Sequence, residues 1–451
     1  MKHTERLESE NIPRLLLSMS GPSILGMMAI SVYNITDTIF LGHGAGTVAL
    51  AAVAVALPVL MTITTFGHAI GMGGASIISR ALGSKKKLKA QLVLHNIITA
   101  ISFFNFFLIL LLAILPEFFL RLFGANEEIL PQAKIYLLWC LPGAFFQNIL
   151  YVLMNAIRAE GNTKFPMKVQ AFAALLNIIL DPIFIFGFSW GVMGAAIATS
   201  ISQTLASLAC VWYFTLNNKS YLKINLAQLY RIPEKNIITE TFALGASSFA
   251  RQMASSVMTV VLNHALIRYG GTVAIASFGI ILRLSMLIFM PLFGLNQAFM
   301  PIAGYNYGAK NFHRVIESIK VSIKWSTWFC IFSLIIYFSF SKQLIMIFTT
   351  DSTVIEYGGK MLKIFIIAFP VIGFQIIVSG LYQSLGKAKS SLFLALARQV
   401  LFLIPFVLLL PLYFGEIGIW ISFPTADFLA ALITLFMLIN LTKVLKTTQV
   451  K

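Results

Sequence analysis

The chain has 451 residues, 58% of them hydrophobic and 11% charged, with a formal net charge of +17. So little polar surface cannot cover a soluble domain of this length, which excludes a water-soluble enzyme or binding module and leaves a polytopic membrane protein. The same absence of a soluble basic domain excludes nucleic acid as the partner of the positive charge.

Apolar runs near 13–41, 48–81, 91–115, 131–157, 167–187, 191–215, 238–266, 273–306, 316–340, 355–384, 391–413 and 417–441 predict twelve transmembrane helices. Each is long enough to cross the hydrocarbon at about 1.5 Å per residue. The polar opening Lys2-His3-Thr4-Glu5-Arg6 lacks the apolar core of a cleavable signal, so the first span is expected to direct insertion.

In that span Tyr33 and Asp37 lie four residues apart, on one helical face. An acid inside the bilayer costs about 2.5 to 3.5 kcal/mol on insertion scales, so it normally faces a cavity or a partner. In the second span Gly67, Gly71, Gly73 and Gly74 crowd together, as Pro291, Gly294, Pro301 and Gly304 do in the eighth. Close packing through small residues accounts for them, with a bend used in lobe closure as the alternative.

The fifth span repeats the four-residue spacing in Asn177 and Asp181, followed by Pro182, which perturbs the helix and frees a carbonyl. Ala195 and Thr199 share the spacing in the sixth. Two carboxylates, an amide oxygen, a hydroxyl and a carbonyl suit a hard cation, so Asp37, Asn177, Asp181 and Thr199 could seat sodium. The same cluster could hold a proton, because burial and a second acid both favour the neutral carboxyl. The plainer alternatives are a structural partner for Asp37 and a role for Asp181 in shaping the end of its helix.

The polar stretch 217–236 reads as a linker, giving an N-lobe (1–216), a cytoplasmic linker (217–236) and a C-lobe (237–451). In the C-lobe Asp427 follows Pro424 on the twelfth span, with Arg251, Arg283 and Arg398 as available partners. Cys140, Cys210 and Cys330 are scattered through spans, and no His joins another His or Cys in a metal motif.

With both termini placed in the cytoplasm, 24 of the 33 Lys and Arg residues fall on that side and only six on the other. That is the positive-inside pattern, so the charge reports topology and contact with anionic lipid. The chain also repeats itself: Gly46-Thr47-Val48-Ala49 returns as Gly271-Thr272-Val273-Ala274, Gly83 as Gly308, and Gly161 with Lys164 as Gly386 with Lys389. Six spans per repeat make the halves parallel, so the fold class is all-α, two six-helix lobes related by a pseudo-twofold axis along the membrane normal. Asp37 does not repeat; Leu262 stands in its place.

The stretches Asn34-Ile35-Thr36-Asp37-Thr38-Ile39-Phe40-Leu41-Gly42, Ser79-Arg80-Ala81-Leu82-Gly83, Asn177-Ile178-Ile179-Leu180-Asp181-Pro182 and Gly304-Tyr305-Asn306-Tyr307-Gly308-Ala309-Lys310 together resemble the multidrug and toxic compound extrusion (MATE) transporters. The resemblance covers essentially the whole chain. It implies a non-enzymatic antiporter of the bacterial inner membrane, monomeric and without a cofactor, exporting cationic and amphipathic compounds in exchange for H+ or Na+. The match is to the prokaryotic, DinF-like branch, with Asp37, Asn177, Asp181, Ala195 and Thr199 as its cation site. It also implies Tyr33, Tyr136 and Asn155 as N-lobe cavity residues, and Arg283 is counted with them from the C-lobe. Ile30 departs from relatives with a polar residue there, and the tenth span lacks the acid that other branches use. A flippase for lipid-linked saccharides is the alternative; the three C-lobe arginines favour it and the acidic N-lobe opposes it.

Overall fold

The computed structural model describes residues 3–216, 220–225 and 233–450. Of the expected linker 217–236, residues 217–219 and 226–232 lie outside the described residues. No strand occurs among the described residues.

Besides the short helices His3–Ser9 and Pro116–Leu122, six long helices come first: α1 (Ile12–Gly44), α2 (Gly46–Gly83), α3 (Lys87–Ile114), α4 (Leu130–Ala159), α5 (Lys164–Pro182) and α6 (Gly191–Leu216). The 74-residue run Lys235–Gly308 divides at Gly271 (φ 65°, ψ −159°) into α7 (235–270) and α8 (271–308). Then come α9 (Phe312–Ser339) and α10, a pair of segments, Ser352–Ile366 and Phe369–Ser384, bent by 49°. The run Ala388–Thr447 divides at Gly415 (φ 58°) into α11 (388–414) and α12 (415–447). Among the described residues nine helices are long and apolar enough to cross a membrane. Two of these are double-length and the bent pair supplies one more, which gives twelve crossings. In hydrocarbon each backbone N–H needs an internal partner, so a long apolar run has little choice but to be a helix.

The interruptions have local causes. Pro370 heads the second half of α10 and has no N–H to continue the ladder. Pro182 likewise cannot bond the carbonyl of Ile178. There α5 widens into a π-helical turn, Ile183–Gly187, with Phe188 N donating to Ile183 O at 2.9 Å.

The repeat is carried by backbone conformation. Gly46 and Gly271 have φ of 83° and 65°, Gly161 and Gly386 have 89° and 81°, and Gly191 and Gly415 have 51° and 58°. Each pair turns the chain at the same place in both halves, in a region that side chains with a Cβ rarely adopt.

The chain forms two compact units, Met1–Ser9 with Gly21–Gly245, and Glu10–Ser20 with Ala246–Lys451. The first turns of α1 therefore belong to unit 2, where Arg314 Nη2 donates to the Glu10 carbonyl at 2.7 Å. Each unit has its own apolar core. That of unit 1 includes Leu41, Ala52, Val59, Leu137 and Ala195; that of unit 2 includes Leu262, Phe278, Phe365 and Trp420.

The glycines of α2 serve packing. A Cβ on Gly67 would overlap the Asn148 side chain, and one on Gly74 would come 2.7 Å from Ile97 Cδ1. In the space so left, Asn148 Nδ2 donates to the Ile63 carbonyl at 3.0 Å and to Asn105 Oδ1 at 2.7 Å, tying α2, α3 and α4 together.

Candidate functional site

Asp37 of α1 and Asp181 of α5 come together in unit 1, close enough for their carboxyl groups to interact. Asp37 is 9% exposed, Asp181 0% and Asn177 1%. One turn before Asp181, Asn177 directs its Nδ2 to Asp181 Oδ1 at 3.2 Å and to Thr199 Oγ1 of α6 at 3.3 Å. Tyr33 and Thr199 both line the cavity beside this cluster. Ala195, one turn before Thr199, is fully buried and offers no polar side-chain atom.

The cluster has more acceptors than donors. Asp37 Oδ1, Asp181 Oδ2 and Asn177 Oδ1 are buried without a hydrogen-bond partner. No Lys or Arg forms an ion pair with either acid among the described residues. Two touching carboxylates repel, and one shared proton or one cation among these oxygens relieves that repulsion. Among the described residues no group of three His, Cys, Asp or Glu side chains forms a metal cluster.

Beside this cluster lies a cavity of about 220 Å³, enclosed by α1, α2, α4, α5 and α6. Tyr33, Tyr136, Asn177 and Thr199 line it, while Asp37 and Asp181 do not. Asn177 thus belongs both to the cavity wall and to the acid pair behind it. The polar atoms further along come from Gln147, Tyr151, Gln170 and Gln203, which sequence reasoning did not single out. On α4 the spacing of Tyr136, Cys140, Gln147, Tyr151 and Met154 marks one helical face, a signal available in the sequence.

Asn155 is elsewhere. It is buried, its Nδ2 donates to the Tyr151 carbonyl at 2.8 Å, and its Oδ1 accepts from Arg158. Arg283 lies on α8 in unit 2, with an exposed side chain. Asp427, also in unit 2, is 2% exposed and is paired on both oxygens by Arg398, through Nε on Oδ1 and through Nη2 on Oδ2 at 3.3 Å. Gln375 Nε2 donates to the Asp427 carbonyl at 2.7 Å. One of the three C-lobe arginines is therefore neutralised. At the position equivalent to Asp37, Leu262 is fully buried in the apolar core of unit 2.

A third buried acid in unit 1, Glu160, escaped the sequence reading. Glu160, just beyond α4, is 2% exposed. Its Oε1 accepts from Ser220 Oγ at 2.8 Å and from the backbone N–H of Tyr221 and Leu222, both at 2.9 Å. Burial nevertheless pushes its carboxyl up to about 7. Gln91 Oε1 accepts from Lys223 N at 2.8 Å and His95 Nε2 from Asn225 N at 3.0 Å, so α3 and Glu160 together strap residues 220–225 to this end of the unit.

The MatE family model matches residues 22–183 and again 248–409, two segments of equal length beginning 226 residues apart. The chain belongs to the MatE family. The duplicated match agrees with the paired glycine turns in the two halves of this MatE chain. Among its relatives is the multidrug export protein MepA of Staphylococcus saprophyticus, 29% identical over 425 residues that cover 94% of this chain and 93% of MepA. MepA of Staphylococcus aureus strain MRSA252 is 29% identical over 433 residues with the same coverage. A crystal structure of MATE in the bent conformation superposes with a TM-score of 0.93 at 25% identity, covering both chains fully. An outward-facing multidrug resistance MATE transporter of the MOP superfamily gives 0.92 at 25% identity over 99% of each chain.

Proposed function

We propose that this MatE protein is a secondary antiporter of the bacterial inner membrane, with both termini cytoplasmic, that exports cationic and amphipathic organic compounds in exchange for H+ or Na+. The names of its relatives support export of many compounds, and the Lys and Arg asymmetry supports the orientation. The observation that carries ion coupling is the meeting of Asp37 and Asp181 beside the cavity, with three buried oxygens that have no donor.

Coupling then runs through Asn177. With the acids sharing no cation, its amide donates to Asp181 and Thr199 and the cavity wall is set for substrate. A cation arriving from outside takes Asp181, Asp37 and the Asn177 carbonyl oxygen as ligands, turning the amide and reshaping the wall that Asn177 and Thr199 provide. Ion and substrate bias the lobe in opposite directions, which is what exchange requires. Cavity-wall residues Met61, Met154 and Leu57 supply an adaptable apolar surface for varied ligands.

The test is purified protein in liposomes, with export of a fluorescent organic cation followed under separately imposed proton and sodium gradients. Export that responds to one of them supports antiport. Export indifferent to both removes it.

A further inference from the structure

One buried charge in unit 1 has no part in the scheme above. Arg158 is 5% exposed, and among the described residues no carboxylate forms an ion pair with it. Its Nη1 donates to Asn155 Oδ1 at 3.3 Å, and its Nε has no partner. The nearest acid in sequence, Glu160, is committed to Ser220, Tyr221 and Leu222.

The neighbours that meet its field are His68, Tyr151 and Cys210, with the His68 ring stacked on Tyr151 at 3.9 Å. Gly71 makes this arrangement possible, because a Cβ there would come 2.8 Å from Asn155 Nδ2, the amide that holds Arg158 in place. A guanidinium remains charged even when buried, and a buried charge without a counter-ion costs several kcal/mol. Packing alone would be served better by an apolar side chain.

Its position gives the reason for a charge. The face of α4 that lines the cavity runs through Tyr136, Cys140, Gln147, Tyr151 and Met154, and four residues further along that face is Arg158. The acid pair lies at the opposite end of the cavity, next to Tyr33 and Tyr136. Arg158 does not itself line the cavity; it stands one turn of α4 past Met154, toward the helix end from which Glu160 holds residues 220–222.

We propose that Arg158 is a fixed electrostatic barrier at the cytoplasmic end of the N-lobe cavity, which keeps the coupling cation from crossing the lobe without a lobe rearrangement and so enforces exchange. Fixed positive groups exclude cations from water-permeable pathways in this way. The proposal rests on the antiport reading. It makes Arg158 a determinant of coupling rather than a ligand of ion or substrate.

The experiment compares wild type, Arg158→Gln and Arg158→Lys in liposomes, measuring proton and sodium flux down imposed gradients without substrate, and substrate exported per cation in its presence. Arg158→Gln is expected to raise substrate-free flux about tenfold and to lower the exported ratio, while Arg158→Lys stays close to wild type. Adding Asp37→Asn to Arg158→Gln is expected to suppress the leak, because that leak starts from the acid pair. Should Arg158→Gln fail to insert, sodium flux through Arg158→His, measured with the same pH on both sides at acidic and then alkaline pH, gives the same contrast in one protein, tight when the imidazole is charged and leaky when it is neutral. Vesicles of Arg158→Gln as tight as wild type, or a lysine variant as leaky as the glutamine one, would overturn the barrier. Wild-type export indifferent to both gradients, read in the wild-type vesicles alone, would remove the antiport scheme and the barrier with it.

Discussion

Asn177 Nδ2 lies 3.2 Å from Asp181 Oδ1 and 3.3 Å from Thr199 Oγ1, so a single amide links the acid pair to the cavity wall. Breaking that link without removing the acids separates ion binding from its effect on substrate. Asn177→Leu, of similar size, is expected to retain ion binding at reduced affinity and to lose about tenfold or more in gradient-driven export. Isotopic sodium binding and pH-jump proton release, measured alongside export, check the split; equal losses in both would place Asn177 in the ion site only.

Asp37→Asn and Asp181→Asn are each expected to abolish gradient-driven export while leaving the fold intact. Neither acid has an arginine or lysine partner that would be stranded, so the melting temperature in detergent should be unchanged or higher. A variant of either kind that exported at wild-type rate under the gradient would contradict the assignment.

Asp427 should behave in the opposite way. Its two oxygens are occupied by Arg398, and its side chain is 2% exposed against 24% for the arginine. Asp427→Asn is therefore expected to destabilise unit 2 by about 3 to 5 kcal/mol, because Arg398 keeps its charge without a partner. Replacing both residues, Asp427→Leu with Arg398→Met, should recover most of that loss. Thermal unfolding of the single and double variants decides the matter, and a single variant as stable as wild type would show the pair to be dispensable.

Glu160 gives a pH dependence with a definite sign. Its carboxyl is raised to about 7 from an ordinary 4.5, burial being the largest cause. A raised carboxyl stabilises the strapped linker fully below the ordinary value and loses that contribution as pH rises through about 7. The strap over residues 220–222 should therefore loosen between about pH 5 and pH 8, by up to about 3 kcal/mol. Hydrogen exchange of the Tyr221 and Leu222 amides follows it directly. Glu160→Gln keeps an acceptor and should flatten the profile; a profile unchanged by that substitution would assign the titration to another group.

The cavity beside the acid pair is lined on one side by Met61. Met61→Trp adds bulk at a wall position that is 56% exposed, so export of large organic cations should fall several-fold more than that of small ones. Export rates for a homologous series of quaternary ammonium compounds provide the check. A uniform reduction across the series would indicate that substrate binds outside this cavity.

Much of this was legible along the chain because hydrocarbon imposes local rules. Any segment that crosses must satisfy its own backbone and present apolar side chains, so span order and approximate ends follow from runs of residues: the expected 167–187 became Lys164–Gly187. The repeat was legible for a similar reason, since turns with positive φ keep glycine at Gly46 and Gly271. The acids stood out because charge is expensive in lipid.

What the acids do depended on contacts that no local rule contains. Asp37 and Asp427 look alike in sequence, each an acid in an apolar span. Helix crossings bring Arg398 to one and a second carboxylate, 144 positions away at Asp181, to the other. The same holds for Arg158 and Glu160, two opposite charges at the end of α4 whose spacing of two residues points them to different partners. The helix end directs one toward Asn155 and the other toward the linker backbone. Sequence alone determined which residues carry the charge, because burial in lipid makes each one costly. The tertiary structure decided which charges are compensated, because electrostatic energy falls steeply with distance, and distance between helices is set by their packing.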